Sequence, residues 1–355
     1  MPSEKGKNSL FDSVPSAFTS SLLRWYEENG RSLPWRATGD PYAIWLSEVI
    51  LQQTRIQQGL SYWERFMRRW PSVQDLASAT EDEVLREWQG LGYYSRARNL
   101  HKAARQIVLS GTFPSSFNDL RRLSGVGDYT AAAIASFAFG EPVAAVDGNV
   151  YRVLSRVFGI DTPINTPSGK KTFTAVANQL LAKDAPAAFN QAMMDFGALQ
   201  CTPKSPRCAT CPMVEMCDAC RTHRVDALPA KERRTHIKTR YFSYIFLRHE
   251  GRLAVRRRPS GDIWHGLWEP VLVETEEKAD ERFIAERCAE WGRTVRVAEG
   301  LKHVLTHRII LADCYIIDTQ SEPSLPEGYV WIDESSFDDY AKPRLVEILS
   351  EMLNQ

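Results

Sequence analysis

From about residue 16 to residue 225 the apolar positions recur with helical spacing. Thr130, Ala133, Ile134, Phe137 and Ala138 stand at i, i+3, i+4, i+7 and i+8, and Val150, Val153, Leu154, Val157 and Phe158 repeat the spacing. Another helix is announced by its start: Asp40 offers an N-cap oxygen and Pro41 the preset φ of a first helical position, ahead of the run from Tyr42 to Leu51. The pattern predicts an all-α domain over residues 1–225. Past Cys220 it changes. Residues 226–240 are polar and basic and read as a linker. Strands are then expected over 241–247 and 253–258, around a His-Glu-Gly turn, and again near 308–317 and 329–332. Helices are expected over 277–291 and 343–353, which makes 241–355 an α+β domain. There is no internal repeat and no low-complexity tract.

Glu48 is out of place in its helix. Ile44 and Leu51 share its face, and Tyr42, Trp45, Leu46, Val49 and Ile50 cover most of the rest. A helix that is apolar nearly all round is buried. A carboxyl held there loses hydration, so its pKa rises toward the range of a general acid or base. The bland alternative is a buried Glu satisfied by an Arg. Asp147, in Val146-Asp147-Gly148-Asn149, precedes a helix and taken alone reads as an N-cap. Beside Glu48 it would be the second carboxylate that glycosyl chemistry uses against positive charge on a sugar.

Leu123-Ser124-Gly125-Val126-Gly127 joins two expected helices. The glycines permit a tight turn that aims the first amides of the next helix outward, toward a phosphate oxygen. A plain turn between packed helices is the competing reading. Of seven cysteines, five fall between Cys201 and Cys220, and Cys201, Cys208, Cys211 and Cys217 are spaced C-x6-C-x2-C-x5-C. Four thiolates that close together suit Zn²⁺ or a [4Fe–4S] cluster, and ligand chemistry leaves the metal open.

Composition adds bounds. The 355 residues suffice for two or three domains, and no stretch reaches the length of apolar residues that spans a bilayer. The first 25 residues lack a signal-peptide core, so a cytoplasmic protein is expected. Net charge is zero, which hides an asymmetry: residues 1–225 hold 25 basic and 21 acidic groups, and the rest 19 and 23. Charge permits a nucleic-acid partner without demanding one.

Six ordered motifs complete the picture: LPWR at 33–36, SEVILQQT at 47–54, GLGYYSRARNL at 90–100, LSGVGDYTAAAI at 123–134, VDGNV at 146–150 and MMDFGALQC at 193–201. Together with the cysteine spacing they resemble the MutY family of adenine DNA glycosylases, densely over about 20–220 and more loosely beyond. The resemblance implies a multidomain protein: an all-α helix-hairpin-helix glycosylase domain with a [4Fe–4S] loop, followed by an α+β Nudix-like domain that reads 8-oxoguanine. It implies a monofunctional glycosylase of base excision repair that flips adenine, mispaired with 8-oxoguanine or guanine, out of duplex DNA and leaves an abasic site. A monomer with no membrane partner is expected.

Residue by residue, the resemblance makes Glu48 the acid that protonates adenine N7 and Asp147 the carboxylate that meets the oxocarbenium ion. Tyr129 and Asn149 support them. Trp35, Arg36, Leu51 and Gln191 line the adenine pocket, and Gln53, Thr54 and Tyr93 form the wedge among the bases. Gly125, Val126 and Gly127 bind backbone phosphate, and Cys201, Cys208, Cys211 and Cys217 hold the cluster. Thr306 and His307 fall in the lesion-reading stretch, where the family has Phe-Ser-His and this chain has Leu305-Thr306-His307. Endonuclease III, a relative, is similar but carries Lys where this chain has Tyr129; that amine promotes strand cleavage. The rivals are a bifunctional endonuclease III-like glycosylase and lyase, a non-catalytic iron–sulfur DNA-binding protein, and a Nudix hydrolase. The last lacks its acid-rich helix, since 277–291 does not carry the required spacing.

Overall fold

The computed structural model describes residues 14–232, 237–305 and 307–353; Thr306, named above, lies outside the described residues. The chain forms two compact units. One comprises residues up to Ala77 together with Lys102–Arg233, and the other Ser78–His101 together with the chain from Arg234 onward.

The helices in chain order are α1 (Val14–Asn29), α2 (Pro41–Leu51), α3 (Ile56–Arg69), α4 (Val73–Ser78), α5 (Glu81–Glu87), α6 (Ser95–Ser110), α7 (Phe117–Leu120), α8 (Asp128–Phe139), α9 (Gly148–Phe158), α10 (Pro167–Leu180), α11 (Pro186–Leu199) and α12 (Asp218–Arg221). α2 starts as its sequence dictates, with the Asp40 carboxylate accepting from the Tyr42 amide and Pro41 in the first turn. In the first unit, Phe18 and Leu22 of α1, Val153 and Leu154 of α9, Phe173 of α10 and Phe196 of α11 close one core. α2 is buried from Tyr42 through Ile50. α7, a tight turn with Gly125 at φ +74°, and α8 make the hairpin.

The second unit is a six-stranded mixed sheet of β1 (Lys238–His249), β2 (Arg252–Arg257), β3 (Trp268–Thr275), β4 (Val295–Leu305), β5 (Arg308–Asp318) and β6 (Tyr329–Asp333), in the order β4-β5-β1-β3-β2-β6. β1 and β5 run parallel, and the other pairs are antiparallel. Alternation along β1 splits its side chains between two cores. Phe242, Tyr244 and Phe246 meet Leu345 and Leu349 of one helix, α14 (Arg344–Leu353). Ile245 and Leu247 meet Ile284 of another, α13 (Glu281–Arg287). The sheet is thus covered on both faces.

Four features differ from the sequence expectation. β1 begins at Lys238, inside the segment read as a linker. β3 and β4 were not anticipated. The helix expected over 277–291 is confined to Glu281–Arg287; Asp280 caps its start, accepting from the Phe283 amide at 2.7 Å. Residues 78–101, inside the expected helical domain, group with the sheet.

Candidate active site

α2, α8, the loop before α9 and α11 surround a cavity of about 1180 Å³. Glu48 faces it from α2 with 7% of its surface exposed. The Tyr129 hydroxyl, from α8, donates to Glu48 Oε2 at 2.8 Å. Burial drives the Glu48 carboxyl up to about 7, against the pull of the Tyr129 hydrogen bond and the Arg36 charge; the nearby Asp147 charge adds to the rise. A carboxyl at that value is divided between acid and base near neutrality.

Asp147 is the N-cap of α9. Its Oδ1 accepts from the amides of Asn149 at 2.9 Å and Val150 at 2.8 Å, and its Oδ2 from Asn149 Nδ2 at 2.7 Å. Burial raises its pKa, and these hydrogen bonds oppose the rise. Asn149 is held in turn: Arg152 donates to its Oδ1 at 2.8 Å and to the Gly197 carbonyl at 2.6 Å. Gly197 permits this approach, because a Cβ there would lie 2.5 Å from that of Asn149.

Arg36 is positioned by a buried anion. Asp195, 0% exposed, accepts from both terminal nitrogens of Arg36, at 2.8 and 2.9 Å, and from the backbone and guanidinium of Arg31. Two guanidiniums hold its carboxyl below the usual range against burial. Tyr26 donates to Gln191 Oε1 at 2.8 Å and holds that side chain at the cavity wall. Arg31, Asp195 and Tyr26 were not singled out by the sequence. Asp195 lies within MMDFGALQC, and an acid at the centre of an apolar helix was the available signal.

The cavity also takes in Trp35, Leu51, Gln53, Thr54, Asn149 and Gly127. Gln53 has a left-handed φ of +58°, a strained backbone of the sort that collects at functional sites. Gly125 and Val126 lie in the hairpin outside the cavity lining. Gly127 caps α8 with no side chain, so the amides of its first turn have no side-chain cap. Tyr93 and His307 belong to the other unit, where both are exposed; His307 sits in the β4–β5 turn.

The four spaced cysteines occupy a loop strapped to α9. Arg152 donates to the Cys201 carbonyl at 2.8 Å, and Arg156 donates to Cys201 Sγ at 3.4 Å and to the Thr202 carbonyl at 2.8 Å. Burial raises the thiols of Cys208, Cys217 and Cys211, the last to about 11, and the Cys211 thiol feels Cys201, Cys217 and Cys208. Among the described residues no three such donors form a group that could hold a lone metal ion. A cubane accommodates wider spacing, since each thiolate binds a different iron. A loop whose cysteine thiols sense one another beside Arg156 fits a [4Fe–4S] cluster.

Comparison with known proteins agrees with this geometry. Residues 46–178 match the HhH-GPD superfamily of base excision DNA repair proteins, 201–217 the iron–sulfur binding domain of endonuclease III, and 243–352 the NUDIX domain. The chain therefore has the helix-hairpin-helix glycosylase fold with an iron–sulfur loop, followed by a Nudix-like module. A thermostable thymine-DNA glycosylase superposes over 59% of this chain and 97% of its own, with a TM-score of 0.55 and 30% identity. A human adenine DNA glycosylase is 45% identical over 215 residues, 58% of this chain and 39% of its own length. One from Buchnera aphidicola (strain Bp) is 34% identical over 71% of this chain and 72% of its own. This chain belongs to the adenine DNA glycosylase family. The match spans about two fifths of the human relative. Among the described residues no helix is long and apolar enough to cross a membrane.

Proposed function

We propose that the protein removes adenine opposite 8-oxoguanine or guanine from duplex DNA by hydrolysis, leaving an abasic site. The supporting observation is Glu48: a buried carboxyl at about 7, on a Tyr129 hydrogen bond, in one cavity with Asp147. An adenine rotated out of the stack would enter between Arg36, Gln191 and Leu51. Neutral Glu48 donates its proton to N7, so the base departs uncharged. Asp147, part-buried on the cavity wall and carrying three donated hydrogen bonds, faces the positive charge that develops on the sugar. Glu48, then ionised, takes a proton from the attacking water. Whether Asp147 stabilises the cation as an ion pair or captures it, the product is the same.

Tyr129 occupies the position where endonuclease III has its amine. A phenol forms no Schiff base, which favours a monofunctional reaction. The [4Fe–4S] cluster, on Cys201, Cys208, Cys211 and Cys217, would tie the loop into a rigid body; no proton or bond passes through it. The uncapped amides after Gly127 suit a DNA phosphate. Gln53, Thr54 and Tyr93 would take the place of displaced bases, and His307, with Thr306, would read the 8-oxoguanine. The reaction belongs with DNA in the cytoplasm and requires one chain.

The test is a duplex carrying one adenine opposite 8-oxoguanine, with half of each quenched reaction treated with alkali before a denaturing gel. Breaks at adenine only after alkali are expected. Breaks without alkali would replace this reading by a glycosylase and lyase. A duplex bound but unbroken in both halves would replace it by a binding protein.

A further inference from the structure

Tyr93 is an exposed aromatic on a strained loop. Its φ is +47°, it is 52% exposed, and Gly92 before it has φ +70°. Trp88 Nε1 donates to the Gly92 carbonyl at 3.0 Å, and Arg96 donates to the carbonyls of Leu91 and Gly92 at 3.2 Å. Such a conformation persists only where its surroundings enforce it. Those surroundings belong to residues 78–101, which fall within the HhH-GPD match but form one compact unit with the sheet of the Nudix-like module.

One tie stands out. The Arg98 guanidinium, one turn past the loop on α6, donates to the His265 carbonyl. The next residue, Gly266, has φ +80°, and a Cβ there would lie 3.5 Å from Arg98 Nη1 and 3.6 Å from Glu81 Oε1, so these two side chains reach over the turn. In the same turn Trp264 packs its ring 5.7 Å from that of His303 on β4. β4 leads directly into the β4–β5 turn that holds His307. Contacts thus tie α6 to the 264–266 turn and that turn to β4. Arg257 adds ion pairs to Glu81 and Asp82 at 2.9 and 2.8 Å, but these are exposed and contribute little.

We propose that the Nudix-like module itself sets the Tyr93 wedge, with Arg98 as the positioning residue, so that the turn bearing His307 and the side chain entering the base stack move as one piece. This deepens the proposed function and rests on the reading of Tyr93 as a wedge. It gives the module a second task besides contacting the damaged base. It also makes a stretch that looks in sequence like part of the catalytic domain belong mechanically to the module.

The test uses the full chain and a duplex with 2-aminopurine beside the mispair, whose fluorescence rises when the base unstacks. Tyr93→Ala should cut the rise at least about fivefold, the lower end of what aromatic stacking on a base supplies. Arg98→Ala should cut it by the same factor, and the double variant should be no worse than Tyr93→Ala. Arg98→Lys, which still donates to a carbonyl, should recover most of the signal. Arg98→Met keeps the packed stem without donors and replaces alanine if that variant unfolds. An intact rise in Arg98→Ala or Arg98→Met, or losses that multiply in the double variant, would overturn the coupling alone. An intact rise in Tyr93→Ala would overturn the wedge reading and the coupling with it. Excision is not part of the readout, so failure of the adenine-removal reading would leave this test standing.

Discussion

Replacing Glu48 by Gln separates its chemistry from its cost to the fold. The amide keeps the shape and can still accept from Tyr129, but it lacks the proton that the proposed reaction delivers to N7. Loss of a general acid removes about 10²- to 10⁴-fold in rate, so single-turnover excision should fall by at least about a hundredfold while duplex binding persists. Stability should move the other way. The carboxyl ionises near 4.5 in an ordinary setting and near 7 here. The folded chain thus binds its proton more tightly than the unfolded chain. Stability from this group is complete below about pH 4.5 and is lost as pH rises through about 7. At pH 8 ionised Glu48 costs roughly 3 kcal/mol, which the neutral amide avoids. Denaturant titrations at pH 5 and pH 8 would compare the two proteins. Glu48→Gln should be the more stable at pH 8, and the gap should shrink toward zero at pH 5. A gap of the same size at both values, or excision within tenfold of the parent, would refute the reasoning.

Three other outcomes are expected. Tyr129→Phe removes a hydrogen bond that lowers the Glu48 pKa, so the fall in excision rate on the alkaline side should move to higher pH, as a rate profile would show. Asp195→Asn leaves Arg31 and Arg36 facing an amide in a fully buried site; a loss of about 3–5 kcal/mol is expected by denaturant titration, with weaker binding of adenine-containing duplex as Arg36 drifts. Gly197→Ala drives a methyl against Asn149, where a Cβ would lie at 2.5 Å; it should cost about 1–3 kcal/mol and slow excision, and unchanged kinetics would show that Asn149 does not set Asp147.

The chain's periodicity disclosed the helices that build the cavity because each is amphipathic or wholly apolar and begins at a recognisable cap, such as Asp40 or Asp147. Glu48 was visible as an acid on a helix with no solvent face. The strands were harder. β3 carries Pro270 within Trp268–Thr275, and β4 is an edge strand with irregular register between Arg296 and Leu301, so neither keeps a clean alternation. The Arg31–Asp195 and Arg36–Asp195 contacts join residues about 160 positions apart, and no local pattern reports them. Cysteine spacing alone left zinc and iron–sulfur both open; the match over 201–217 decided it, and its limits include Cys217 and exclude Cys220. Residues 78–101 look like their helical neighbours because their composition is helical. Only contacts such as Arg98 to His265 reveal where they pack.

Asp147 closes the first turn of α9, and in the proposed reaction it also faces the reacting sugar. Alanine there would forfeit the cap, about 1 kcal/mol, along with the charge, and would confound the two. Asparagine keeps more of the cap: its carbonyl oxygen can accept from the amides of Asn149 and Val150, although its amide nitrogen then faces the Asn149 Nδ2 donor. On the proposed reading, such a chain would still bind its duplex target without excising from it, and beside a working copy it would compete for the same site.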